Sequence, residues 1–256
     1  MIDGGKRLLM PLSPEPAVSI ITVIKNAGGY LEKFLKDIDS FLSDEVELVI
    51  VDGGSTDQTC ELLQADQKII DYWISEPDKG IYDAMNKATQ LSRGQWLLFL
   101  GVDDNLLEDF SIMKSNLQMH DTIYYGNVIH NGKKIISKAT SIALSKFNIC
   151  HQSIFYPKRV FEKYSYKLKY PVCSDYYLNI QCKGDPDFKF HYYDLDIADH
   201  ADGGFSSQVG DKAFIEDKES LIRDNLGFYT LMKYRIWNFK KRISTKLKFL
   251  ISTPRL

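Results

Sequence analysis

The sequence predicts a doubly wound α/β fold, and three observations predict it. Apolar, β-branched runs recur along the first hundred residues, amphipathic segments separate them, and turn residues or an aspartate end each run. Nearly continuous apolar strands that alternate with helices are typical of a parallel sheet covered on both faces. At 256 residues the chain is long enough for one large domain or two closely joined ones.

The predicted elements follow from hydrophobic periodicity. Strands are predicted at residues 17–24, 46–52, 69–74 and 96–100, and helices at about 30–42, 55–63 and 81–91. Ser55 with Gln58 fits a capping box that opens the second helix. From Thr122 the pattern changes to short strands and helices, beginning with a hairpin whose turn is Asn131-Gly132. Residues 1–16 lack the long apolar segment of a secretory signal, and they read as a loose leader.

Composition narrows the class of protein. The hydrophobic share of 44% and the charged share of 26% are ordinary for a globular protein, and no apolar run reaches the length of a membrane span. The four cysteines show neither metal-ligand spacing nor a disulfide framework, which favours a reducing compartment. We therefore expect a cytoplasmic protein.

Charge is unevenly distributed along the chain. Residues 228–256 carry eight basic side chains and no acid, so this tail is +8 and the remainder is −10. Apolar residues interleave with these cations, as in a basic amphipathic helix that lies on an anionic membrane surface. A helix that packs on its own domain or on a second subunit is the alternative, and it leaves a homodimer open. Nucleic acid is not expected, because no recognition module accompanies the charge.

Acidic residues end several predicted strands. Asp52 and Asp103 come directly after apolar strands, and Asp78 follows a third. Ligands of open α/β sheets bind at such carboxyl ends. In LFLGVDDN, Asp103 adjoins Asp104, and two neighbouring carboxylates beside a core need a positive partner. A bound cation is one such partner; two acids that cap a helix near Leu106 are the alternative.

Five motifs in order give the chain a resemblance to a known family. VDGGSTD, EPDKGIYDAMNKA, RGQWLLFLGVDD, HQSIFYPKRVFEKY with CSDYYLNIQ, and GGFSS resemble family 2 glycosyltransferases of the branch that builds colanic acid, capsule and O-antigen. The resemblance runs from about Val18 to Ser207. It implies a GT-A fold with a mixed sheet, a nucleotide-diphosphate sugar donor, a divalent cation and inversion at the anomeric carbon. It also implies a nucleotide-sugar half at residues 17–120 and an acceptor half at 121–210, with a helical region at 211–256.

The resemblance assigns donor-binding roles to the first half. Asp52 would accept a hydrogen bond from the base of the donor, with backbone contacts near Thr22 and Val23; an Asx turn before the next helix is the alternative for Asp52. A second set would line the site of the nucleoside; its members are Asp78, Lys79, Gly80 and Asn86. For this set the alternative is a capped and solvated helix N-terminus.

The family's Asp-x-Asp pattern falls on Gly101-Val102-Asp103, so its first acid is replaced by glycine. The resemblance makes Asp103 the ligand of Mn²⁺ or Mg²⁺, places the donor against Gly101 and Val102, and offers His200 as a further metal ligand. Loss of the first acid either weakens metal binding or lets the ribose sit closer.

Asp175, in CSDYYLNIQ, matches the family's catalytic base, which would take a proton from the acceptor hydroxyl. The alternative is an acid that stabilises the first turn of a helix. The sequence thus predicts an inverting glycosyltransferase, with UDP-sugar favoured as donor and a glycan or a polyprenyl-diphosphate-linked sugar as acceptor. A homologue that binds nucleotide or carbohydrate without catalysis is the alternative function.

Overall fold

The computed structural model describes residues 1–9, 14–200 and 210–252. Its strands are β1 Ile2–Gly4, β2 Val18–Ile24, β3 Val46–Asp52, β4 Tyr72–Ser75, β5 Trp96–Phe99, β6 Asn105–Leu106, β7 Thr122–His130, β8 Lys133–Ile135, β9 Ile154–Pro157 and β10 Lys189–His200. Its helices are α1 Lys6–Leu9, α2 Gly28–Ile38, α3 Thr59–Ala65, α4 Ile81–Leu91, α5 Asp109–Ser115, α6 Ser141–Lys146, α7 Arg159–Lys163, α8 Ser174–Gly184, α9 Lys212–Leu226 and α10 Phe228–Ser252. Short 3₁₀ turns occupy Asp39–Phe41 and His151–Ser153.

The ten described strands form one mixed sheet in the order β1-β4-β3-β2-β5-β9-β7-β10-β6, with β8 paired to β7. Strands β2, β3, β4 and β5 are parallel, and β9 joins β5 in the antiparallel sense. The predicted α/β class and the mixed sheet are therefore confirmed. The register between β2 and β5 ends at Ile21 and Phe99, so β2 extends beyond its neighbour toward the carboxyl edge.

Both faces of the sheet are buried, as the continuous apolar strands predict. Successive side chains of a strand point to opposite faces. Ile20 accordingly packs with Leu31 and Leu35 of α2, whereas Ile21 packs in the core that contains Met85 of α4. The apolar stripe of α4, predicted at residues 81–91, has the observed bounds of the helix.

The C-terminal helices pack on the second half of the sheet domain. Helix α9 lies against α8, and α10 lies against α9 and α6. Leu231 and Tyr234 form the buried side of α10, and Trp237 meets Phe147 edge to face with 5.4 Å between ring centroids. Tyr176 of α8 donates a 2.6 Å hydrogen bond to the carbonyl of Leu144, which ties α6 to α8. Among the described residues, no helix is both long and apolar enough to cross a bilayer.

The prediction of a loose leader is wrong for residues 2–9. Strand β1 pairs with β4 and extends the sheet by one strand. Arg7, in the short α1, forms an ion pair with the buried Glu47 and donates a 2.6 Å hydrogen bond to the carbonyl of Leu91. The physical reason is the Glu47 carboxylate near the start of β3, which is buried and favours a nearby cation.

Two turn predictions had different outcomes. The hairpin is confirmed, since β8 pairs with β7 and Asn131 and Gly132 both adopt positive φ angles of 51° and 68°. The capping box is wrong, because α3 begins at Thr59 rather than Ser55. Ser55 instead donates its backbone N–H to Asp52 over 2.9 Å, and its hydroxyl bonds to the same carboxylate. Asp52 thus draws Ser55 into a turn ahead of the helix.

We expect Arg7→Ala to lower the free energy of unfolding by about 2–4 kcal/mol, because it leaves the buried Glu47 carboxylate without its cation. Lys6→Ala is the matched control: Lys6 pairs with Asp71 over 3.2 Å near the surface, and its loss should cost about 0–1 kcal/mol. Urea unfolding followed by circular dichroism measures both. Equal effects of the two variants would contradict the role of Arg7.

Candidate active site

A cavity of about 370 Å³ opens at the carboxyl edge of β5. Its walls are the turn after β5, the start of α4, the segment around the 3₁₀ turn His151–Ser153, the loop into α8 and the end of β10. Four residues predicted for the site from sequence, which lie far apart in the chain, meet here: Gly101, Asp103, Asp175 and His200. The parallel strands bring this about, because their carboxyl ends meet at one edge of the sheet.

The turn after β5 separates the two adjacent acids. Asp103 is exposed at the cavity, whereas only 4% of Asp104 is exposed. Asp104 accepts hydrogen bonds from the backbone N–H of Gly101 at 3.0 Å and from the side-chain amide of Gln152 at 3.2 Å. Nδ1 of His200 lies 2.8 Å from the same carboxylate. The buried Asp104 carboxylate is therefore stabilised by hydrogen-bonding groups of the chain itself.

The alternative in which both acids cap a helix near Leu106 is wrong. Asp104 is followed by β6, and the next helix begins at Asp109. Glycine at position 101 has a steric reason instead. A Cβ atom there would lie 2.7 Å from Oδ2 of Asp104 and 2.8 Å from Oδ1 of Asp103. The two acids thus occupy the space that a side chain at position 101 would need.

His200 lies with Asp104. Its Nδ1 atom is also 2.9 Å from the amide nitrogen of Gln152, and its ring is 5.4 Å from that of His130. Among residues 1–9, 14–200 and 210–252, no three His, Cys, Asp or Glu side chains are grouped so as to hold a metal ion. The side chains alone therefore do not form a complete metal shell.

Asp175 stands in the first turn of α8, and only 8% of it is exposed. Its Oδ1 accepts a 2.8 Å hydrogen bond from the Tyr82 hydroxyl, and its Oδ2 accepts one of 2.6 Å from the amide of Asn148. Nδ1 of His151 lies 3.8 Å from Oδ2. A carboxylate has about four acceptor positions, so the two donors fix its orientation and leave capacity for a third.

Tyr82, Cys150 and Cys173, which lie near Asp175, remain protonated at neutral pH. Burial and the Asp175 carboxylate raise the pKa of Tyr82 well above its ordinary value, so its hydroxyl stays a donor. Burial likewise raises the pKa of Cys150 and of Cys173 to about 11. Because the thiolate is the nucleophilic form, these thiols are poorly suited to covalent catalysis.

Asp52 lies outside the cavity and is completely buried. Besides Ser55, its carboxylate accepts a 2.6 Å hydrogen bond from the Ser75 hydroxyl and is approached by the Cys60 thiol at 3.7 Å. This arrangement matches the Asx-turn alternative for Asp52. The carboxylate orders the loop between β3 and α3. Because Asp52 is buried, a molecule that binds at this edge of the sheet would contact the loop rather than the carboxylate.

Asp78 adjoins that loop. An added Cβ atom at Gly53 would lie 2.0 Å from Oδ2 of Asp78, so the aspartate packs directly on the glycine. Oδ1 of Asp78 accepts the N–H of Gly80, which starts α4 with a φ angle of +113°. Lys79 is exposed, and its own N–H bonds to Asp83. Gly80 then leads directly into Ile81, which lines the cavity.

Four further residues predicted to bind the donor do not line the cavity. Thr22 is completely buried within β2, and Val23 next to it packs partly against the core shared with α4. Asn86 makes two 2.9 Å hydrogen bonds with the backbone of Tyr166, donating to its carbonyl and accepting from its N–H. The amide of Asn86 therefore joins α4 to the second half of the chain. Val102 packs against the core that contains Ile20.

Sequence analysis missed Tyr82 and Asn148, the two donors to Asp175. Tyr82 lies in the motif EPDKGIYDAMNKA, but nothing in that motif indicates that its hydroxyl donates a hydrogen bond to Asp175. Asn148 is 27 residues from its partner, and no spacing rule connects the two.

Comparisons with known proteins identify the family of this chain. The model of glycosyl transferase family 2 matches residues 19–175. A PGL/p-HBAD biosynthesis glycosyltransferase of Mycobacterium bovis (strain BCG / Pasteur 1173P2) is 34% identical over 215 residues, which cover 78% of this chain and 83% of that protein. A putative teichuronic acid biosynthesis glycosyltransferase, TuaG of Bacillus subtilis (strain 168), is 35% identical over 98 residues, or 37% of this chain and 39% of that protein.

Solved structures share the fold at low sequence identity. S. aureus TarS in complex with UDP-GlcNAc aligns with a TM-score of 0.63 and 16% identity, covering 80% of this chain and 64% of that one. The mannosyltransferase PcManGT of Pyrobaculum calidifontis, in complex with GDP-Man and Mn²⁺, aligns with a TM-score of 0.58 and 14% identity, covering 94% and 77%. The chain spans less than two thirds of the TarS chain.

The chain therefore belongs to glycosyltransferase family 2, as the resemblance of its motifs predicted. The GT-A type of mixed sheet is confirmed with it.

We expect Gly101→Ala to lower the free energy of unfolding by about 1–3 kcal/mol, because the new methyl group displaces Asp104 from its buried hydrogen bonds. Gly29→Ala is the control, since a Cβ atom there meets no atom within 4 Å. Urea unfolding of both variants measures the difference. A Gly101→Ala protein as stable as the Gly29→Ala protein would contradict the steric role of position 101.

Proposed function

We propose that the protein is an inverting, metal-dependent glycosyltransferase that moves a sugar from a nucleotide-diphosphate donor, with UDP-sugar favoured, to a glycan or lipid-linked acceptor in bacterial surface polysaccharide assembly. One observation carries the proposal: the exposed Asp103 and the oriented Asp175 face the same cavity from opposite halves of the chain. A relative named for PGL/p-HBAD biosynthesis and another named for teichuronic acid biosynthesis support the surface-glycan assignment.

The donor lies along the carboxyl edge of β2, β3 and β5 in this proposal. Its base rests on the loop that Asp52 organises, with Asp78 and the exposed Lys79 beside it and the free end of β2 at Val23 below it. Asn86 acts indirectly, by holding α4 in place through Tyr166. The diphosphate then points to Asp103.

A divalent cation fits this arrangement. The carboxylate of Asp103 is exposed at the cavity, whereas Gly101, Gln152 and His200 already contact that of Asp104, so Asp103 is the acid that is available to an ion. Oxygen ligands suit Mn²⁺ or Mg²⁺, and donor phosphates and water supply the rest of the shell. Asp103 would hold the ion, with His200 supporting it through Asp104. When bound, the ion offsets the charge of the departing diphosphate.

Asp175 is the proposed general base. Tyr82 and Asn148 hold its carboxylate, so the unused acceptor positions can take the proton of an acceptor hydroxyl. The hydroxyl oxygen attacks the anomeric carbon on the face opposite the diphosphate, and the C–O bond to the diphosphate breaks. Direct displacement of this kind inverts the configuration. The protonated Cys150 and Cys173 take no part in bond making.

The experiment that tests the proposal measures nucleotide binding and sugar transfer separately. A screen of UDP-, GDP- and dTDP-sugars with and without Mn²⁺ should raise the melting temperature of the protein most with a UDP-sugar and Mn²⁺. Asp103→Asn should remove the Mn²⁺-dependent part of the shift, because it removes the exposed ligand. Asp44→Asn is the control: it changes an exposed aspartate that does not line the cavity, and it should leave the Mn²⁺-dependent shift unchanged.

Asp175→Asn should lower the turnover number of sugar transfer by about 10²–10⁴-fold and leave the nucleotide-dependent shift unchanged, because it removes the base and keeps the shape of the side chain. Transfer that survives both Asp103→Asn and Asp175→Asn would contradict the assigned roles. Nucleotide stabilisation without transfer by the wild-type protein to any sugar or lipid-linked acceptor would favour the non-catalytic homologue.

We further propose that α10 seats the enzyme on the inner, anionic face of the plasma membrane. Six large apolar side chains of α10 are exposed along one face, opposite the side that packs on α9: Phe228, Tyr229, Met232, Ile236, Phe239 and Ile243. Lys233 and Lys240 flank this face on one side, and Arg235 and Arg242 on the other. An apolar face between cations suits a headgroup layer rich in anionic lipid.

We expect the wild-type protein to float with phosphatidylglycerol vesicles, and Ile236→Glu to reduce the floated fraction at least threefold, because it places a charge in the apolar face. Ile112→Glu on α5 is the matched control, since Ile112 and Ile236 are each 51% exposed. Point variants are preferable to truncation after Gly227, which would uncover the buried Ile222. Unchanged flotation of Ile236→Glu would remove the membrane assignment.

A further inference from the structure

A second and larger cavity lies beside the candidate active site. It is a groove of about 760 Å³ between the end of β8 and helix α6. Much of its wall is apolar, and four of its large side chains are exposed to solvent: Ile135, Ile136, Ile142 and Phe147. This volume lies in the range of sites that bury a small organic ligand, about 300–1,000 Å³. Exposed apolar groups gathered in one groove mark a surface that is covered by something else.

The groove adjoins the catalytic cavity. Asn148, Cys150 and Tyr176 line both. Asn148 is also the residue that donates to Oδ2 of Asp175. A molecule whose hydroxyl reaches Asp175 therefore continues, past Asn148, into an apolar channel rather than into open water.

The charge of the groove narrows the chemistry of its occupant. Lys138 and Lys146 are the charged residues in its wall, and both are cations. The remaining polar lining is uncharged, and three of its members, Asn148, Cys150 and Tyr176, also line the catalytic cavity. A purely polar glycan would leave the isoleucines uncovered, and a neutral chain would leave the two lysines without a counter-ion.

We propose that this groove, which we call the acceptor groove, binds the lipid part of the acceptor: an apolar chain joined through phosphate to the sugar that receives the transfer. This inference rests on the proposed function and specifies its acceptor. The sugar hydroxyl lies at Asp175, the phosphate lies between Lys138 and Lys146, and the chain covers Ile136, Ile142 and Phe147.

Phe147 gives the acceptor groove an outlet. Its ring contacts Trp237 of α10, and Lys146 lies 5.9 Å from the centre of the same indole ring. The groove thus leads from Asp175 toward the helix whose opposite side is the proposed membrane face. The groove and the proposed membrane face are therefore next to the same helix.

The test uses farnesyl diphosphate, which has an isoprenoid chain and a diphosphate but no sugar. Calorimetric titrations are made with UDP and Mn²⁺ at saturation, so that the proposed donor site is already filled. We expect farnesyl diphosphate to bind, and inorganic pyrophosphate and farnesol to bind at least tenfold more weakly, because each has only half of the required chemistry. Equal binding of pyrophosphate would mean a site for free anions and would overturn the proposal.

Ile136→Glu should weaken farnesyl diphosphate at least tenfold, because a buried charge would oppose the chain. Lys146→Ala should weaken it severalfold, through loss of one cation. Ile112→Glu, of similar exposure but far from the groove, should have no effect. Both groove variants should keep the melting-temperature shift with UDP and Mn²⁺, which shows that they fold and keep the donor site.

Unchanged affinity in Ile136→Glu would overturn the acceptor groove. So would a change of oligomeric state in this variant, seen by analytical ultracentrifugation, because it would identify a second copy of the chain as the occupant. If UDP fails to stabilise the wild-type protein, the proposed donor site is wrong, while the response of farnesyl diphosphate to Ile136→Glu still decides on the groove.

Discussion

The buried Asp104 carboxylate is the interaction on which the site depends. It holds the N–H of Gly101 in the turn after β5, the amide of Gln152 in the second half, and the ring of His200 at the end of β10. An unpaired carboxylate at this depth would be costly, so the three segments must meet for the fold to form. Since Asp104 turns inward, its neighbour Asp103 turns outward to the cavity. One charge thus organises the turn and leaves the other available to a ligand.

The same logic joins the two halves at Asp175. Tyr82 belongs to the nucleotide half, Asn148 and Asp175 to the other, and their hydrogen bonds cross the boundary beneath the cavity. Asn86 adds a second crossing, at the backbone of Tyr166. The carboxylate proposed as the general base is therefore placed by both halves together.

The sequence was sufficient to predict the strands that carry the site, because apolar runs ending in aspartate have few other interpretations. Asp103 and Asp175 were found through family motifs, and their meeting in one cavity follows from the parallel strands. Long-range pairing could not be predicted. Arg7 meets Glu47 across 40 positions, and Asn148 meets Asp175 across 27. Ser55 had the spacing of a helix cap, but the nearby Asp52 competes for its N–H, and local propensity cannot rank those two partners.

Tyr176 links the C-terminal helix α10, through α6, to the helix α8 that carries Asp175. It follows Asp175 in α8, its hydroxyl bonds to Leu144 in α6, and α6 packs against α10 through Phe147 and Trp237. The proposed docking of α10 on a lipid surface would thus brace the wall next to Asp175, the proposed base. Such coupling amounts to interfacial activation: the enzyme would turn over faster when adsorbed on a bilayer than when free in solution, even toward a short water-soluble acceptor.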